Sequence, residues 1–440
     1  MRNFKKIIYL FLVFAFLTSC KSEKRENTEE ETTRTVDLIE NIDQYEKTLA
    51  EEKAKEEEKL SKKEDEKNKK DQVNKNTDAK KDDQIAEKKE SKIAKVRIKV
   101  FGDIMANTIQ NQYAFNKGAG TYDYSDSFAL IKDYVSDSDI SIANYETTTN
   151  PNLAYAGHPR FNTPEAYLKA IADAGFDIVT TANNHSLDSG IEGITTTIEA
   201  IENNGLDHVG SMRDESEKLL MKEVNGIKIG FLSYTYGTNG IENLFIPREE
   251  VKELNYLHPE KIKADIEEAK DKGADFVVVY PHWGIEYQNQ PTQDQIKLAR
   301  DMAEWGADLI IGNHPHVIQP FEKIETLDGR TAFIAYALGN VISYQLQEVT
   351  GNIRSEQSVS YDITLAKNFT EDRTSIENIE ANPLWTGLTY NDYGGSVQTY
   401  LASEYLDGGA KYDQVNEVQR ARIKQAFDMT NESLNKGVIN

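Results

Sequence analysis

Six short polar motifs along the chain contain the carboxylates, carboxamides and imidazoles that proteins use to bind divalent metal ions. The motifs are GDIM, ANYETT, TTANNHSLDSG, HWGIEY, GNHPHVIQP and YALGN. Their candidate residues are Asp103, Asn144, Glu146, Asn184, His185, His282, His314, His316 and Asn340. Mixed nitrogen and oxygen ligands without sulfur suit Mn²⁺, Fe, Zn²⁺ or Mg²⁺. The sequence therefore predicts a divalent metal site, provided that these residues meet in the fold.

The chemistry of such a site follows from its charge. A divalent cation polarises a phosphoryl or carbonyl oxygen and activates water for attack. His314 and His316 are separated by one proline. In an extended turn their imidazoles would point apart, so one could bind a metal while the other binds a second metal or a substrate oxygen.

The elements that must position these residues are strands, because each motif follows or ends an apolar run. Val96, Ile98 and Val100 alternate with charged residues in the first run, which is strand periodicity. Amphipathic segments such as PEAYLKAIADAG separate the later runs, and Asn225-Gly226 and Asp328-Gly329 predict hairpins. This alternation favours an α/β layered fold with mixed sheets. Loops at the carboxyl ends of neighbouring parallel strands gather in one crevice, which would bring the six motifs together.

Each candidate also has an interpretation that needs no metal. Asn183 or Ser186 could cap the helix that follows them, and Glu146 lies in a run that is also typical of a capping region. Asp188 could be an acid that favours a helix start through the macrodipole. Asp188 is also, with His185, one of the two candidate catalytic residues.

A loop between the second and third motifs supplies two more candidates. His158 and Arg160 lie in GHPRFNTP, where they could contact an anionic substrate or serve loop structure only. With Asn144 and Asn340 they form the predicted substrate-binding residues.

The six motifs, in this order, resemble the successive motifs of the bacterial CapA family, the capsule-synthesis proteins associated with poly-γ-glutamate. The resemblance covers roughly residues 96–345. It implies a calcineurin-like metallophosphoesterase fold, a sandwich of two mixed β-sheets flanked by helices with metals at the loop ends. Carried over motif by motif, it implies a bridging carboxylate at Glu146 and a proton donor at His185. The metal ligands that it implies are Asp103, Glu146, Asn184, His282, His314 and His316.

The chain departs from the metallophosphoesterase pattern at three places. The histidine of the first Asp-x-His motif is replaced by Met105, and the second motif is Asn144-Tyr-Glu146. The position directly after the motif histidine, where an acid is common, is occupied by Ser186. The nearest carboxylate is Asp188. One metal position is therefore expected to have fewer ligands, so a one-metal, a two-metal and a weakly metallated site all stay open.

The N-terminus predicts export and lipid anchoring. A basic start, MRNFKK, precedes an apolar stretch of 11 residues that is too short to span a bilayer comfortably. The stretch ends in LTSC, which resembles a bacterial lipobox, and Cys20 is the only cysteine of the chain. Residues 1–20 are thus predicted to be a lipoprotein signal peptide with Cys20 lipidated, and the alternative is an ordinary signal peptide. We expect an extracytoplasmic protein attached to the bacterial membrane.

Charge and composition divide the rest of the chain. Residues 1–95 contain 23 basic and 23 acidic residues, whereas the remaining 345 contain 28 and 51. The segment 21–95 is rich in Lys and Glu and is predicted to be a disordered tether. Residues 96–390 are the predicted metallophosphoesterase-like domain, and 391–440 a helical extension. An acidic domain repels phosphate backbones, so nucleic acid is not an expected partner.

Three functions are consistent with these observations. The first is a CapA-type surface lipoprotein that acts in the biosynthesis, export or anchoring of poly-γ-glutamate or a related capsule, with an anionic polymer or phosphoester as substrate. The second is a metal-dependent phosphoesterase for another envelope or nucleotide substrate. The third is a non-catalytic scaffold of a membrane capsule-synthase complex.

Overall fold

The structure is a computed structural model, and it describes residues 92–244 and 246–438. The predicted signal peptide, Cys20 and nearly all of the predicted tether lie outside the described residues. Within them, no helix combines the length and apolar character needed to cross a bilayer.

Strands and helices alternate over most of this region, as expected. The strands are β1 (Ile93–Ile104), β2 (Ile140–Tyr145), β3 (Ile178–Thr180), β4 (Asp207–Val209), β5 (Leu220–Val224), β6 (Ile227–Thr235), β7 (Phe276–His282), β8 (Leu309–Ile311), β9 (Phe321–Glu325), β10 (Thr331–Ala335), β11 (Asn340–Ile342), β12 (Gln357–Asn368), β13 (Arg373–Asn391) and β14 (Gly394–Leu401). The helices are α1 (Thr108–Lys117), α2 (Ser125–Phe128), α3 (Lys132–Ser136), α4 (Ala166–Asp173), α5 (Gly190–Asn203), α6 (Ile241–Leu244), α7 (Pro259–Asp271), α8 (Gln293–Trp305), α9 (Gln347–Thr350), α10 (Ala402–Tyr405) and α11 (Glu417–Asn435).

The larger sheet is mixed. Its strands lie in the order β14-β13-β12-β1-β2-β3-β4, and β11 pairs with β1 beyond this path. The strands β1 to β4 and β11 are parallel to one another, whereas β12 pairs antiparallel with both β1 and β13, and β14 pairs antiparallel with β13. In this register Asp103 lies beside both Asn144 and Asn340.

The smaller sheet is also mixed, with the order β5-β6-β7-β8-β10-β9. Its central strands β6, β7, β8 and β10 are parallel. The edge strands β5 and β9 pair antiparallel through hairpins at Asn225-Gly226 and Asp328-Gly329, which confirms both predicted turns. Asn225 has a φ of 52° and Gly226 one of 79°, the left-handed conformations that such a two-residue turn requires.

The core is arranged in layers. One buried cluster joins β1 to β6, β7 and β8 and includes Val96, Val100, Phe231 and Val278, so the two sheets pack face to face. A second cluster packs α4 on the outer face of the larger sheet, and a third packs α7 and α8 on the outer face of the smaller one. The predicted fold class, an α/β sandwich of two mixed sheets flanked by helices, is confirmed.

The C-terminal region begins differently from the prediction of a helical extension over residues 391–440. Its first element, β14, pairs with β13 along its whole length, so the larger sheet continues past residue 390. Helices follow only from Ala402, and Ile423 of α11 packs with Trp385 and Tyr400. The strand was missed because GGSVQTYL contains few apolar residues, and its pairing with β13 rather than its own pattern determines its conformation.

Candidate metal centre

The motif residues meet where the two sheets present the carboxyl ends of their parallel strands. Asp103 and Asn144 lie at the ends of β1 and β2, and His282 ends β7. The remaining residues follow β2, β3 and β8 or begin β11, and they are Glu146, Asn184, His185, His314, His316 and Asn340. The predicted convergence of strand ends is therefore what the structure has, with contributions from both sheets.

Two groups of ligand residues share Glu146. The ligand atoms of Glu146, His282 and His314 all lie within 4.8 Å of one another, and so do those of Asp103, Glu146 and His316. The Oε1 atom of Glu146 is 3.6 Å from Nε2 of His282 and 3.8 Å from Nε2 of His316. The Nδ1 atom of His316 is 3.4 Å from Oδ2 of Asp103. This is the arrangement expected of two adjacent cation positions with one carboxylate between them.

A strained turn brings two of the imidazoles into the cleft. His314 has a φ of 99° and His316 a φ of 57°, both in the left-handed region that residues other than glycine rarely adopt. The rings are buried, with centroids 6.0 Å apart. Each imidazole belongs to a different one of the two ligand groups. Such strain persists only where the surrounding structure enforces it, and it is concentrated at functional sites.

Burial shifts the protonation of the cluster. Burial, followed by the charge of Asp103, raises the pKa of Glu146 well above its usual value. Burial and the neighbouring imidazoles lower the pKa of His282 well below its usual value and that of His314 to about 3. For His316 burial opposes the charged form, but the hydrogen bond and the charge of Asp103 outweigh it and raise the pKa. His282 and His314 are therefore neutral at pH 7, the form that binds metals.

Glu146 provides the test of whether these residues fit a cation. Its side chain is fully buried, and neither carboxylate oxygen has a hydrogen-bond partner among the described residues. Buried polar groups are normally hydrogen-bonded, and an unpaired buried carboxylate is costly. The buried Nδ1 of His314 also lacks a partner there. A divalent cation would satisfy both groups, so the donor set fits a metal centre.

The carboxamides hold this cluster together. Asn144 donates to Oδ1 of Asp103 at 2.8 Å and lies 3.3 Å from Nδ1 of His282. Its own oxygen accepts from Thr180 and Asn183, at 3.1 and 3.2 Å. Asn144 is buried behind Asp103 and fixes that carboxylate. The Oδ1 atom of Asn184 is 2.9 Å from Nε2 of His282, beside the Glu146–His282–His314 group.

His185 and Asp188 form the predicted pair. The Nδ1 atom of His185 is 2.7 Å from Oδ2 of Asp188, so Nε2 is the nitrogen left for proton transfer. The ring is close enough for its charge to lower the pKa of His282 and His314. Asp188 directly precedes Ser189, the N-cap of α5, so it also lies beside the start of that helix, as the helix-start interpretation expects.

The interpretation of Asn183 or Ser186 as caps of the following helix, α5, is wrong. Asn183 accepts a hydrogen bond from the backbone N–H of His185. The hydroxyl of Ser186 donates to the backbone carbonyls of Thr181 and Asn183. Both side chains therefore stabilise the turn that holds His185, ahead of the helix.

The predicted substrate-binding residues have different surroundings. Asn340 accepts from Nδ1 of His316 at 2.9 Å, so it positions that imidazole. Arg160 is exposed and donates to the backbone carbonyl of Asp188. His158 is exposed, and its ring centroid is 6.3 Å from that of Phe161. Phe161 in turn donates its backbone N–H to Asp188 and contacts His185 with its ring.

Three residues at the cleft were missed by the sequence analysis. Tyr236 follows β6, and its ring centroid is 4.8 Å from that of His314. Tyr287 lies 6.1 Å from His316 by the same measure. Glu286 has a carboxylate oxygen within 4.8 Å of ligand nitrogens of both His314 and His316. The only signal in the sequence was that Glu286 and Tyr287 belong to the HWGIEY motif.

Met105 occupies the place of the missing imidazole and is buried in the core. The ligand group around Asp103 therefore has three charged or imidazole members, whereas the group around His282 also has the oxygen of Asn184 beside it. The two positions are unequal, in agreement with the departure noted in the sequence.

A strained, buried cluster of carboxylates and imidazoles thus lies at the strand ends of a sandwich of two mixed sheets. The profile of the bacterial capsule synthesis protein family PGA_cap matches residues 97–345, and the chain belongs to this family. All six motifs lie within or at the edge of the matched segment.

Two relatives in Bacillus species show the similarity in more detail. The PGA biosynthesis protein CapA of Bacillus subtilis (strain 168) is 33% identical over 291 residues, which are 64% of this chain and 71% of that protein. The capsule biosynthesis protein CapA of Bacillus anthracis is 32% identical over 272 residues, 59% of this chain and 62% of that protein. The match thus spans less than two thirds of the second relative.

Among solved structures, the chain is similar to a calcineurin-like phosphoesterase, YfkN from Bacillus subtilis. The TM-score is 0.40 at 16% identity, with 78% of this chain and 100% of that chain covered. A novel phosphatase from Mycoplasma pneumoniae matches with a TM-score of 0.39 at 13% identity, covering 66% and 94% of the two chains.

Proposed function

We propose that the protein acts in poly-γ-glutamate capsule biosynthesis through a divalent-metal centre that hydrolyses a phosphoester. Its role in capsule synthesis follows from its family and from its CapA relatives. The observation that supports the metal centre most strongly is Glu146, a fully buried carboxylate that lies among three imidazoles and has no hydrogen-bond partner in the described part of the chain.

The centre would hold two cations of unequal affinity with Glu146 between them. Asp103 and His316 would complete one position. His282, His314 and Asn184 would complete the other, which has more ligands and should bind the cation more tightly. Nitrogen and oxygen donors of this kind suit Mn²⁺, Fe, Zn²⁺ or Mg²⁺.

A bound cation of this type supplies Lewis-acid chemistry, since it polarises a phosphoryl oxygen and activates water. The residues of the chain perform the other tasks. Asp188 fixes the ring of His185 through Nδ1, so that Nε2 can donate a proton to the leaving oxygen. Asn340 and Asn144 hold His316 and Asp103 in place. The positive charge of the cations would attract an anionic substrate to a domain that is otherwise acidic.

The location of the protein is part of the proposal. Lipidated Cys20 would attach the chain to the outer face of the bacterial membrane, and residues 21–95 would let the domain reach away from it. Partners there would be an anionic polymer or phosphoester and a membrane capsule-synthase complex. The same centre could instead act on another envelope or nucleotide phosphoester, which the choice of substrate in the assay distinguishes.

A non-catalytic scaffold is the second candidate, and the loss of a ligand at Met105 favours it. It predicts capsule function without turnover. The proposal of hydrolysis predicts that the full chain contains bound metal by elemental mass spectrometry and cleaves bis(p-nitrophenyl) phosphate.

Two variants and a control sharpen this assay. His185→Ala should keep the metal and lose about 10²–10⁴-fold in turnover, the usual size of general acid catalysis. His282→Ala should lose both the bound metal and the turnover. His258→Ala removes an exposed imidazole outside the cluster and should change neither. Bound metal without His185-dependent cleavage would support the scaffold, and a chain without metal would contradict the proposal.

A further inference from the structure

Glu286 is an exposed carboxylate at the mouth of the cleft, on the loop between β7 and α8. It forms no ion pair or hydrogen bond with any described residue. It therefore has no structural partner to explain its position.

The backbone beside Glu286 is tied to the turn that carries the two histidines. The N–H of Tyr287 donates to the carbonyl of Pro315 at 2.8 Å. Pro315 lies between His314 and His316, and Tyr287 adopts a φ of 63° to make this contact. A hydrogen bond and a strained residue thus hold Glu286 next to both imidazoles, so its proximity is not that of a free surface side chain.

The geometry gives Glu286 a ligand position. One of its carboxylate oxygens and one nitrogen each of His314 and His316 all lie within 4.8 Å of one another. Two imidazoles and one carboxylate are a common ligand set for divalent transition cations, with the other coordination positions open. Because Glu286 is exposed whereas both histidines are buried, the open positions face solvent.

The histidines have donor capacity for this role. Nδ1 of His314 is buried and lacks a partner among the described residues. The group around Asp103 has only three members, since Met105 replaces an imidazole. A carboxylate on the solvent side would add a ligand where the buried side of the centre lacks one.

We infer that Glu286 is the solvent-side ligand of the weaker cation position, where it would join Asp103, Glu146 and His316 beside His314, and that the cation held there exchanges with solvent. This inference rests on the proposed metal centre and adds to it a ligand outside the six that the motifs imply. The exchangeable cation would be the one with open positions for an oxygen of the substrate.

The experiment titrates Mn²⁺ into the full chain after removal of metal with a chelator, and measures free Mn²⁺ by electron paramagnetic resonance. The wild type should bind Mn²⁺ at two classes of site, one tight and one weaker. Glu286→Gln should weaken the weaker class by about 10–100-fold, the range seen when groups around a metal are removed. The Mn²⁺ affinity of the tight class should be unchanged. Glu286→Asp should lose less affinity in the weaker class than Glu286→Gln does.

The control is Glu267→Gln, which removes an equally exposed carboxylate from the outer side of α7. It should bind Mn²⁺ as the wild type does. Thermal denaturation of the chelator-treated variants should give equal midpoints, because Glu286 has no partner to lose.

The outcomes separate this inference from the proposal beneath it. If the wild type binds no Mn²⁺, the metal centre itself is absent. If His282→Ala weakens binding but Glu286→Gln binds both classes like the wild type, the centre stands and the role of Glu286 is wrong.

Discussion

Two buried glutamates show at the scale of single residues why one of them indicates a metal. Glu356 is buried, but it accepts hydrogen bonds from Arg422, from the backbone N–H of Gln347 and from Nε1 of Trp385. Glu146 is equally buried and accepts none from a described residue. The same side chain is therefore structural at one position and unsatisfied at the other, and the proposed cation would satisfy the second.

This contrast predicts opposite effects of the same substitution. Glu146→Gln removes no hydrogen bond and should leave the metal-free protein as stable as the wild type or more so. It should abolish the rise in melting temperature on adding Mn²⁺, which reflects stabilisation of about 2.7 kcal/mol when free Mn²⁺ is about 100 times Kd. Differential scanning calorimetry with and without Mn²⁺ measures both effects.

Glu356→Gln is the matched control. It breaks satisfied buried bonds and should destabilise the metal-free protein by about 1–3 kcal/mol, while the shift with Mn²⁺ is kept. A Glu146→Gln protein that is strongly destabilised without metal would contradict the account of this residue.

Protonation predicts how metal binding depends on pH. Because the pKa of Glu146 is raised, its proton competes with the cation, and this competition fades as pH rises through that pKa. His282 and His314, whose pKa values are lowered, are already neutral and add no competition near pH 7, whereas the raised pKa of His316 adds to it. Affinity for Mn²⁺ should therefore rise as pH rises through the raised pKa values of Glu146 and His316, with proton release visible by calorimetry in two buffers of different ionisation enthalpy. Affinity independent of pH, without proton release, would show that Glu146 is already ionised.

Asp188 acts through His185 and is a positioning residue. Asp188→Asn should lower kcat for bis(p-nitrophenyl) phosphate, because an amide cannot hold the imidazole as a carboxylate does, while metal content stays at the wild-type level. The loss should fall on kcat and not on KM, because Asp188 holds the proton donor and does not hold the substrate. A variant that keeps the wild-type kcat would contradict the positioning role of Asp188.

At the scale of elements, strand ends were the predictable part. Polar residues after apolar runs located Asp103, Asn144, Glu146 and His282 correctly at the ends of β1, β2 and β7. The features that the sequence analysis did not predict lack such a pattern. The first half of β13 alternates between exposed and partly buried residues, and β14 is largely polar, so both depend on pairing with neighbours. Glu286 was missed because its role depends on a contact between two loops, which one sequence does not encode locally.

Close packing of two strands supports the site at this scale. A Cβ on Gly102 would lie 1.9 Å from the carbonyl oxygen of Gly339, where β1 meets β11. Gly102→Ala should destabilise the protein by about 1–3 kcal/mol through overpacking, and should weaken Mn²⁺ binding because Asp103 is the next residue.

The control for this prediction is Gly230→Ala in β6, where the nearest atom to a new Cβ is 3.3 Å away. Gly230→Ala should destabilise the protein less than Gly102→Ala does, and it should leave Mn²⁺ affinity unchanged. Equal chemical denaturation midpoints for the two variants would show that the approach of β1 to β11 is looser than described.

At the scale of the whole molecule, the metal centre needs both sheets. Asp103, Glu146 and Asn184 come from the larger sheet, whereas His282, His314 and His316 come from the smaller one. The net charge of −23 arises entirely from residues after 95, so a concentrated positive charge at this junction would be exceptional on the domain. An anionic substrate would therefore be bound at the cations and repelled elsewhere.

The proposed membrane attachment is also a property of the whole chain. Cys20→Ser should release the protein from the membrane fraction, because the proposed lipid chains would supply the anchor. Cell fractionation checks this, and the released protein should keep its metal content. Retention of Cys20→Ser in the membrane fraction would instead indicate an uncleaved signal segment or a bound partner.

The central claim is that a cation binds at Glu146, where the two sheets meet. Anomalous diffraction from crystals grown with Mn²⁺ measures this most directly. The account predicts a peak about 2.0–2.2 Å from a Glu146 oxygen and from the ring nitrogens of His282 and His314. Well-ordered crystals in excess Mn²⁺ with no anomalous peak within reach of Glu146 would contradict it.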